Sequence, residues 1–169
     1  MARSVSFFIV ESMHTYLLER EQWVPTPIDE VFAFFSDAAN LETMTPSWLR
    51  FRIVTPRPIE MRPGAAIEYR ISWRFVSLRW WTEIVEWTPP ERFVDVQTRG
   101  PYRLWHHTHQ FEPVDGGTRV RDEVRYALPL GVLGRVAHRL GVRRDLERVF
   151  DFRAARIAER FGSATASRV

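Results

Sequence analysis

The spacing of apolar side chains changes period along this chain, and the order of the changes predicts an architecture. Between Ala66 and Phe75, Ile67, Tyr69, Ile71 and Trp73 alternate with Glu68, Arg70, Ser72 and Arg74. That two-residue period belongs to a strand with one buried and one wet face. Related segments predict strands over Tyr16–Val24, Leu49–Val54, Arg79–Trp87, Phe93–Thr98, Arg103–Phe111 and Thr118–Tyr126. Asp115-Gly116 reads as a tight turn pairing the last two as a hairpin. In the last strand Val120, Asp122, Val124 and Tyr126 share one face, and Arg119, Arg121, Glu123 and Arg125 share the other.

Helical spacing frames this run of strands. After Pro25, Thr26 reads as an N-cap and Pro27 as the first helical residue. Asp29 and Glu30 then lie at the positive end of the dipole, and Val31, Phe34 and Phe35 mark one buried face. Asn40–Pro46 reads as a second short helix. Beyond Pro129, Leu133, Val136, Ala137 and Leu140 mark a helical stretch, with Gly141 as a kink or break. Leu146, Val149, Phe150, Arg153, Ala154, Ile157 and Phe161 then form the stripe of a long amphipathic helix. The fold class is therefore α+β, with the long final helix covering the apolar face of one antiparallel sheet. One domain is expected over 1–169, with a core of about 14–161. Residues 1–13 read as an N-terminal extension and 162–169 as a frayed tail.

Composition narrows the chemistry. The 169 residues contain no cysteine, which excludes disulfides, thiol nucleophiles, iron–sulfur clusters and Cys-based zinc sites. Seven Trp, four Tyr and twelve Phe form a large apolar load for this length. There is no lysine, so all 24 basic residues are Arg, and the formal net charge is +3. Such a small excess argues against a nucleic-acid partner. No apolar run approaches a membrane span. The apolar run ending at Val10 is too short for a signal-peptide core and has no small-residue cleavage site, so the expected location is the cytoplasm.

Several short motifs accompany this element order: Pro27-Ile-Asp-Glu-Val-Phe32, Phe35-Ser36, Asn40-Leu41, Thr45-Pro46 and Gly64. Further along come Gly100-Pro101-Tyr102, Trp105-His-His-Thr-His-Gln-Phe111, Gly116-Gly-Thr118, Asp122, Tyr126 and Leu128-Pro-Leu-Gly131. Over roughly Tyr16 to Phe161, the order and these motifs together resemble the START/SRPBCC ligand-binding superfamily, specifically its bacterial polyketide cyclase/dehydrase-like branch. It implies a helix-grip fold: a curved antiparallel sheet of about seven strands around a long C-terminal helix, with two short helices after the first strand. It also implies a cavity between sheet and helix for a hydrophobic or amphipathic small molecule.

Alternation assigns candidate ligand-binding residues to the inner face. They are Tyr69 and Trp73, Thr82 and Ile84, then Phe93, Asp95 and Gln97, then Trp105, His107 and His109, and finally Tyr126. Counting from a two-residue turn at Asp115-Gly116 sets His109 opposite Asp122 and Trp105 opposite Tyr126. His109 and Asp122 can be a buried pair that fixes register. They can equally be a catalytic pair, with Asp122 orienting His109 as a general base in a cyclase- or dehydratase-like reaction. His107 and His109 share a face, as a zinc site requires, with Asp122 near them. No further good ligand is visible and the aromatic surroundings suit an organic guest, so neither metal nor cofactor is expected. An inward Asp95 requires a partner, Arg103 or another Arg. Arg70, Arg79 and Trp80 raise an outer-face alternative, contact with RNA or an anionic membrane, and exposed Trp side chains there would favour a homodimer. Dinucleotide, phosphate-loop, zinc-protease and nucleophile-elbow motifs are absent.

Overall fold

The computed structural model describes residues 14–162. The expectations for 1–13 and for the tail beyond Gly162 lie outside the described residues. Seven strands make one antiparallel sheet in the order β1-β7-β6-β5-β4-β3-β2. They are β1 (Tyr16–Val24), β2 (Arg52–Ile53), β3 (Ala66–Trp73), β4 (Val76–Thr88), β5 (Arg92–Arg99), β6 (Leu104–Val114) and β7 (Gly117–Ala127). Helices α1 (Ile28–Ser36) and α2 (Asn40–Thr43) follow β1, and α3 (Gly131–Ala137) and α4 (Arg143–Phe161) follow β7. This is the helix-grip arrangement, with the long C-terminal helix held against the concave face of a curved sheet. No helix among the described residues is long and apolar enough to cross a membrane.

The β6–β7 hairpin sets the inner face. Val114 pairs with Gly117 around the two-residue turn, which places His109 opposite Asp122 and Trp105 opposite Tyr126. Gly116 supplies the turn's positive φ of 75°, which a side chain disfavours. On β4 the register against β5 shifts twice, between Trp81 and Thr82 and between Ile84 and Glu86. Such bulges bend a strand and sharpen its twist.

Local geometry departs from the sequence expectations at several points. Helix α1 begins at Ile28, and Pro27 occupies the capping position, its carbonyl accepting from the Glu30 and Val31 amides. Thr26 caps nothing; its carbonyl instead accepts the Thr118 hydroxyl at 2.7 Å. The physical reason is that Pro27 holds the preceding residue extended. The strand expected over Leu49–Val54 shrinks to β2, because Ser47–Leu49 forms a 3₁₀ turn and Arg50 takes a left-handed φ of 44°. Strand β3 stops at Trp73, and Arg74 (φ 55°) turns the chain directly into β4, which starts at Val76 rather than Arg79. Phe75, expected inside the strand, sits fully exposed on this turn.

Gly141 does not break the helix. One π-helical turn, His138–Val142, joins α3 to α4, so helical backbone runs from 131 to 161. The wide turn is anchored on the sheet: His138 stacks on Tyr16 at 3.5 Å between centroids, and its Nε2 meets the Tyr126 hydroxyl at 2.9 Å. Burial lowers the His138 pKa, reinforced by the charges of Arg143, His14 and Arg139, with Glu147 opposing. The folded state therefore prefers neutral His138, and the stability this adds is lost as pH falls below the ordinary value of about 6.5. Urea unfolding at pH 7 and pH 5 tests this: the stability advantage of wild type over His138→Gln should shrink on acidification.

The outer face of β1, β7 and β6 carries a solvated ladder of Arg119, Arg121 and Arg125 with Glu21, Glu112 and Glu123. Exposed pairs of this kind contribute about 0–1 kcal/mol each. Trp80, expected outside, points inward and is buried; Trp81 is the outer residue, between the Arg79 and Arg99 guanidiniums at 5.1 and 4.9 Å. The outer-face alternative thus loses its aromatic anchor at Trp80.

Candidate functional site

Two apolar clusters fill the space between sheet and helices. One joins Val24, Val31, Phe32, Phe35, Phe93, Phe111, Val120 and Ile157. The other joins Leu18, Trp80, Trp105, Val124, Tyr126 and Phe150. The inward residues of three adjacent strands lead from one cluster to the other. On β6 the sequence is Phe111, His109, His107, Trp105; on β7 it is Val120, Asp122, Val124; on β5 Asp95 follows Phe93. A polar belt of Asp95, His107, His109 and Asp122 thus separates two hydrophobic layers. It follows from four polar residues placed at inward positions of otherwise apolar strands.

Above this belt lies a cavity of about 650 Å³ between sheet and C-terminal helix, walled mainly by apolar and aromatic side chains. Its size is that of a small-molecule site, roughly 300–1,000 Å³. Of the sequence-derived candidates, Tyr69, Trp73, Thr82, Ile84 and Phe93 lie on its wall, as do Trp105, Asp95, His107, His109 and Asp122. Gln97 and Tyr126 face inward but do not line it, because each is spent on the protein itself. The Gln97 amide donates to the Tyr102 carbonyl at 2.6 Å and its oxygen accepts the Tyr102 N–H at 3.3 Å. Tyr126 is held by His138. Trp73 lines the wall while its indole N–H donates to Asp145 at 2.8 Å.

The belt is tightly connected. His107 Nε2 lies 3.1 Å from Asp122 Oδ1, with hydrogen-bond geometry. His109 Nδ1 comes closer to the same oxygen, 2.7 Å, but at an angle that makes it a charge contact and leaves Nδ1 without a hydrogen bond. Asp95 Oδ2 stands 3.4 Å from His107 Nδ1 and 3.4 Å from His109 Nε2. The expected His109–Asp122 meeting therefore occurs, but Asp122 makes its aligned bond to His107. Asp95 is partnered by the two histidines, with the Arg153 charge acting on it from α4; Arg103 is exposed and plays no part. The imidazoles are clamped by aromatics, His109 stacking on Phe93 at 4.1 Å and His107 set edge-on to Phe150 at 5.6 Å.

Burial and charge pull the four groups in opposite directions. Burial opposes ionisation of both carboxyls, yet the neighbouring imidazoles outweigh it and lower Asp95 and Asp122 below the usual carboxylate range. Burial also opposes a charged His109, but Asp122 and Asp95 together raise it. His107 is lowered, by burial first and then by the His109 charge. The Arg153 charge also acts on Asp95 and favours its ionised form. Nearby, the Tyr69 hydroxyl meets Thr82 Oγ1 at 2.6 Å, and burial, then Asp95, raises its pKa.

Sequence reasoning missed Trp80, Tyr102, Phe150 and Arg153 as wall residues. Arg153 carried a legible signal: a cation on the apolar stripe of the last helix, between Phe150 and Ile157. Its Nε and the Trp80 indole N–H are buried without a hydrogen-bond partner among the described residues. Buried donors normally find acceptors, so these two are available to a guest.

Comparison with known proteins places this geometry in a family. The family described as "Polyketide cyclase / dehydrase and lipid transport" matches residues 24–152. Among solved structures, protein CV1439 of Chromobacterium violaceum aligns with a TM-score of 0.65 at 16% identity, covering 88% of this chain and 98% of that one. TTHA0849 of Thermus thermophilus gives 0.63 at 20% identity, over 86% and 99%. A Thalictrum norcoclaurine synthase point mutant, in complex with a transition-state analogue, gives 0.63 at 12% identity, over 88% and 98%. At these identities the likeness is one of fold. No curated protein matches the sequence.

Proposed function

The chain belongs to the polyketide cyclase/dehydrase and lipid-transport family, and from that premise we propose that it binds an apolar or amphipathic small molecule between its sheet and C-terminal helix. The observation that carries this reading is the cavity of about 650 Å³ with aromatic walls and one polar end. A guest of that kind would bury its apolar body against Trp80, Trp105 and Ile71. Its acceptor group would face the Trp80 N–H, Arg153 and the His–Asp belt. Burying apolar guest surface contributes about 25 cal/mol per Å², and the few polar groups set its orientation.

Titration with 8-anilinonaphthalene-1-sulfonate, an aromatic body with an anionic end, tests the proposal through tryptophan quenching and native mass spectrometry. One saturable equivalent is expected, weakened by Arg153→Met. Only weak, non-saturating association by a folded protein would overturn it.

A second reading is favoured by the 2.7 Å approach of His109 to Asp122 at the cavity wall. Here His109 exchanges a proton with a polyketide-like or aromatic substrate while Asp122 orients it, as in a cyclase or dehydratase. Asp122→Asn would then lower turnover of such a substrate by at least tenfold while leaving binding of the aromatic probe intact. Equal turnover in both proteins would reject this reading.

A further inference from the structure

The arrangement around the two imidazoles has a polarity that a proton network does not require. One carboxylate, Asp95, faces one nitrogen of each ring: His107 Nδ1 and His109 Nε2, both at 3.4 Å. The other carboxylate, Asp122, faces the remaining nitrogen of each ring, His107 Nε2 at 3.1 Å and His109 Nδ1 at 2.7 Å. On the Asp95 side the three ligand atoms lie within 4.8 Å of one another. A tetrahedral ion with bonds of about 2.0–2.1 Å has ligand–ligand edges of about 3.3–3.4 Å. Two of the three edges already have that length. The third, between the two imidazole nitrogens, is no longer than 4.8 Å.

We propose that Asp95 Oδ2, His107 Nδ1 and His109 Nε2 form a binding site for a divalent transition-metal ion of the zinc type, with Asp122 as the shared outer carboxylate and a fourth position open to the cavity. Three further observations agree. Metal-bound histidines donate their other N–H to a carboxylate, which fixes tautomer and ring orientation; Asp122 makes this bond to His107 Nε2 at 3.1 Å and stands 2.7 Å from His109 Nδ1 as a charge contact. With both imidazoles neutral the four side chains carry two negative charges, which the single positive charge of Arg153 only half balances and which favour a cation at this site. All three ligands line the cavity, so the open position points at the guest rather than at bulk solvent, the arrangement of a reactive or ligand-holding site. The guest would then offer an oxygen donor (a carbonyl, carboxylate or phenolate) to the ion. The metal site itself rests on the side-chain geometry and goes beyond the small-molecule reading, since a folded chain can bind the ion with the cavity otherwise empty.

The test uses the full chain, stripped with a chelator and titrated with Zn²⁺ alone, with ¹⁵N-resolved imidazole NMR as readout. One equivalent should move His107 Nδ1 and His109 Nε2, while their Asp122-facing nitrogens keep their protons and His14, His106 and His138 stay unchanged. Co²⁺ should give the visible absorption of a four-coordinate ion. Asp95→Asn should abolish stoichiometric binding, and Asp122→Asn should weaken it 10–100-fold. The wild-type NMR result decides the matter even where a variant fails to fold. No saturable shift at His107 and His109, or shifts at the other three histidines instead, would overturn the proposal. It leaves the aromatic-probe titration of the metal-free chain unaffected, so failure of the metal site and failure of the cavity reading are separate outcomes.

Discussion

Replacing Asp122 by leucine is expected to lower the unfolding free energy by about 3–5 kcal/mol, the cost of breaking a buried charge set by removing one partner. Asp122 is the carboxylate that both imidazoles approach most closely, at 3.1 and 2.7 Å. Without it, His107 Nε2 loses its hydrogen-bond partner, His109 Nδ1 loses its nearest opposite charge, and Asp95 alone balances the positive charge. Urea unfolding with an unchanged m-value measures the loss. A cost under about 1 kcal/mol would mean that the belt behaves as a solvated surface pair. The sharper comparison replaces all four belt residues with apolar side chains of similar size. Ion sets treated in this way commonly leave stability equal or improved. Restored stability in that variant, together with loss of guest or metal binding, would mean that the belt is kept for its chemistry rather than for folding.

The second large effect is expected at Phe111. This ring packs among Phe32, Phe35 and Phe93, with centroids 5.2–6.1 Å apart, in the apolar cluster whose Phe35 and Phe93 border the cavity while Phe111 does not. Phe111→Ala should cost about 3–5 kcal/mol, because the void cannot collapse in a well-packed core. For a chain of this length that is a Tm decrease of roughly 10 °C. Guest binding should survive it, since Phe111 does not touch the cavity. Trp105→Ala is the contrast. Trp105 also packs on aromatics, Trp80 at 5.0 Å and Tyr102 at 4.9 Å, but one side of it faces the open cavity. It should therefore cost less stability than Phe111→Ala while enlarging the cavity and shifting preference toward a bulkier guest. Equal stability losses with unchanged binding would mean that Trp105 belongs to a filled core.

Much of this was legible in the chain because alternation fixes side-chain direction wherever a strand is regular. Once Asp115-Gly116 was read as a two-residue turn, the pairing of His109 with Asp122 and of Trp105 with Tyr126 followed. The errors cluster where regularity ends. Arg50 and Arg74 take left-handed conformations that no Gly announces, so the ends of β2, β3 and β4 were misplaced. Trp80 and Trp81 are adjacent Trp residues of equal hydrophobicity on a strand with register shifts, and composition cannot say which of them faces in. Gln97 and Tyr126 occupy positions that alternation assigns to the inner face, yet inward is not the same as available. Their hydrogen bonds to Tyr102 and His138 depend on a loop and a helix that strand periodicity does not describe.

What the sequence by itself determined is the order of elements, the inner face of the long hairpin and the presence of four polar residues on it, all set by periods of 2 and 3.6 residues and one turn. What only the tertiary structure decided is how those four groups share their partners. Asp95 comes to lie against one nitrogen of each imidazole and Asp122 against the other, because β5, β6 and β7 bring residues far apart in the chain to within direct contact. No local pattern specifies distances that fine; they emerge from the strand register, the bulges that bend β4, and the aromatic rings that clamp each imidazole in place.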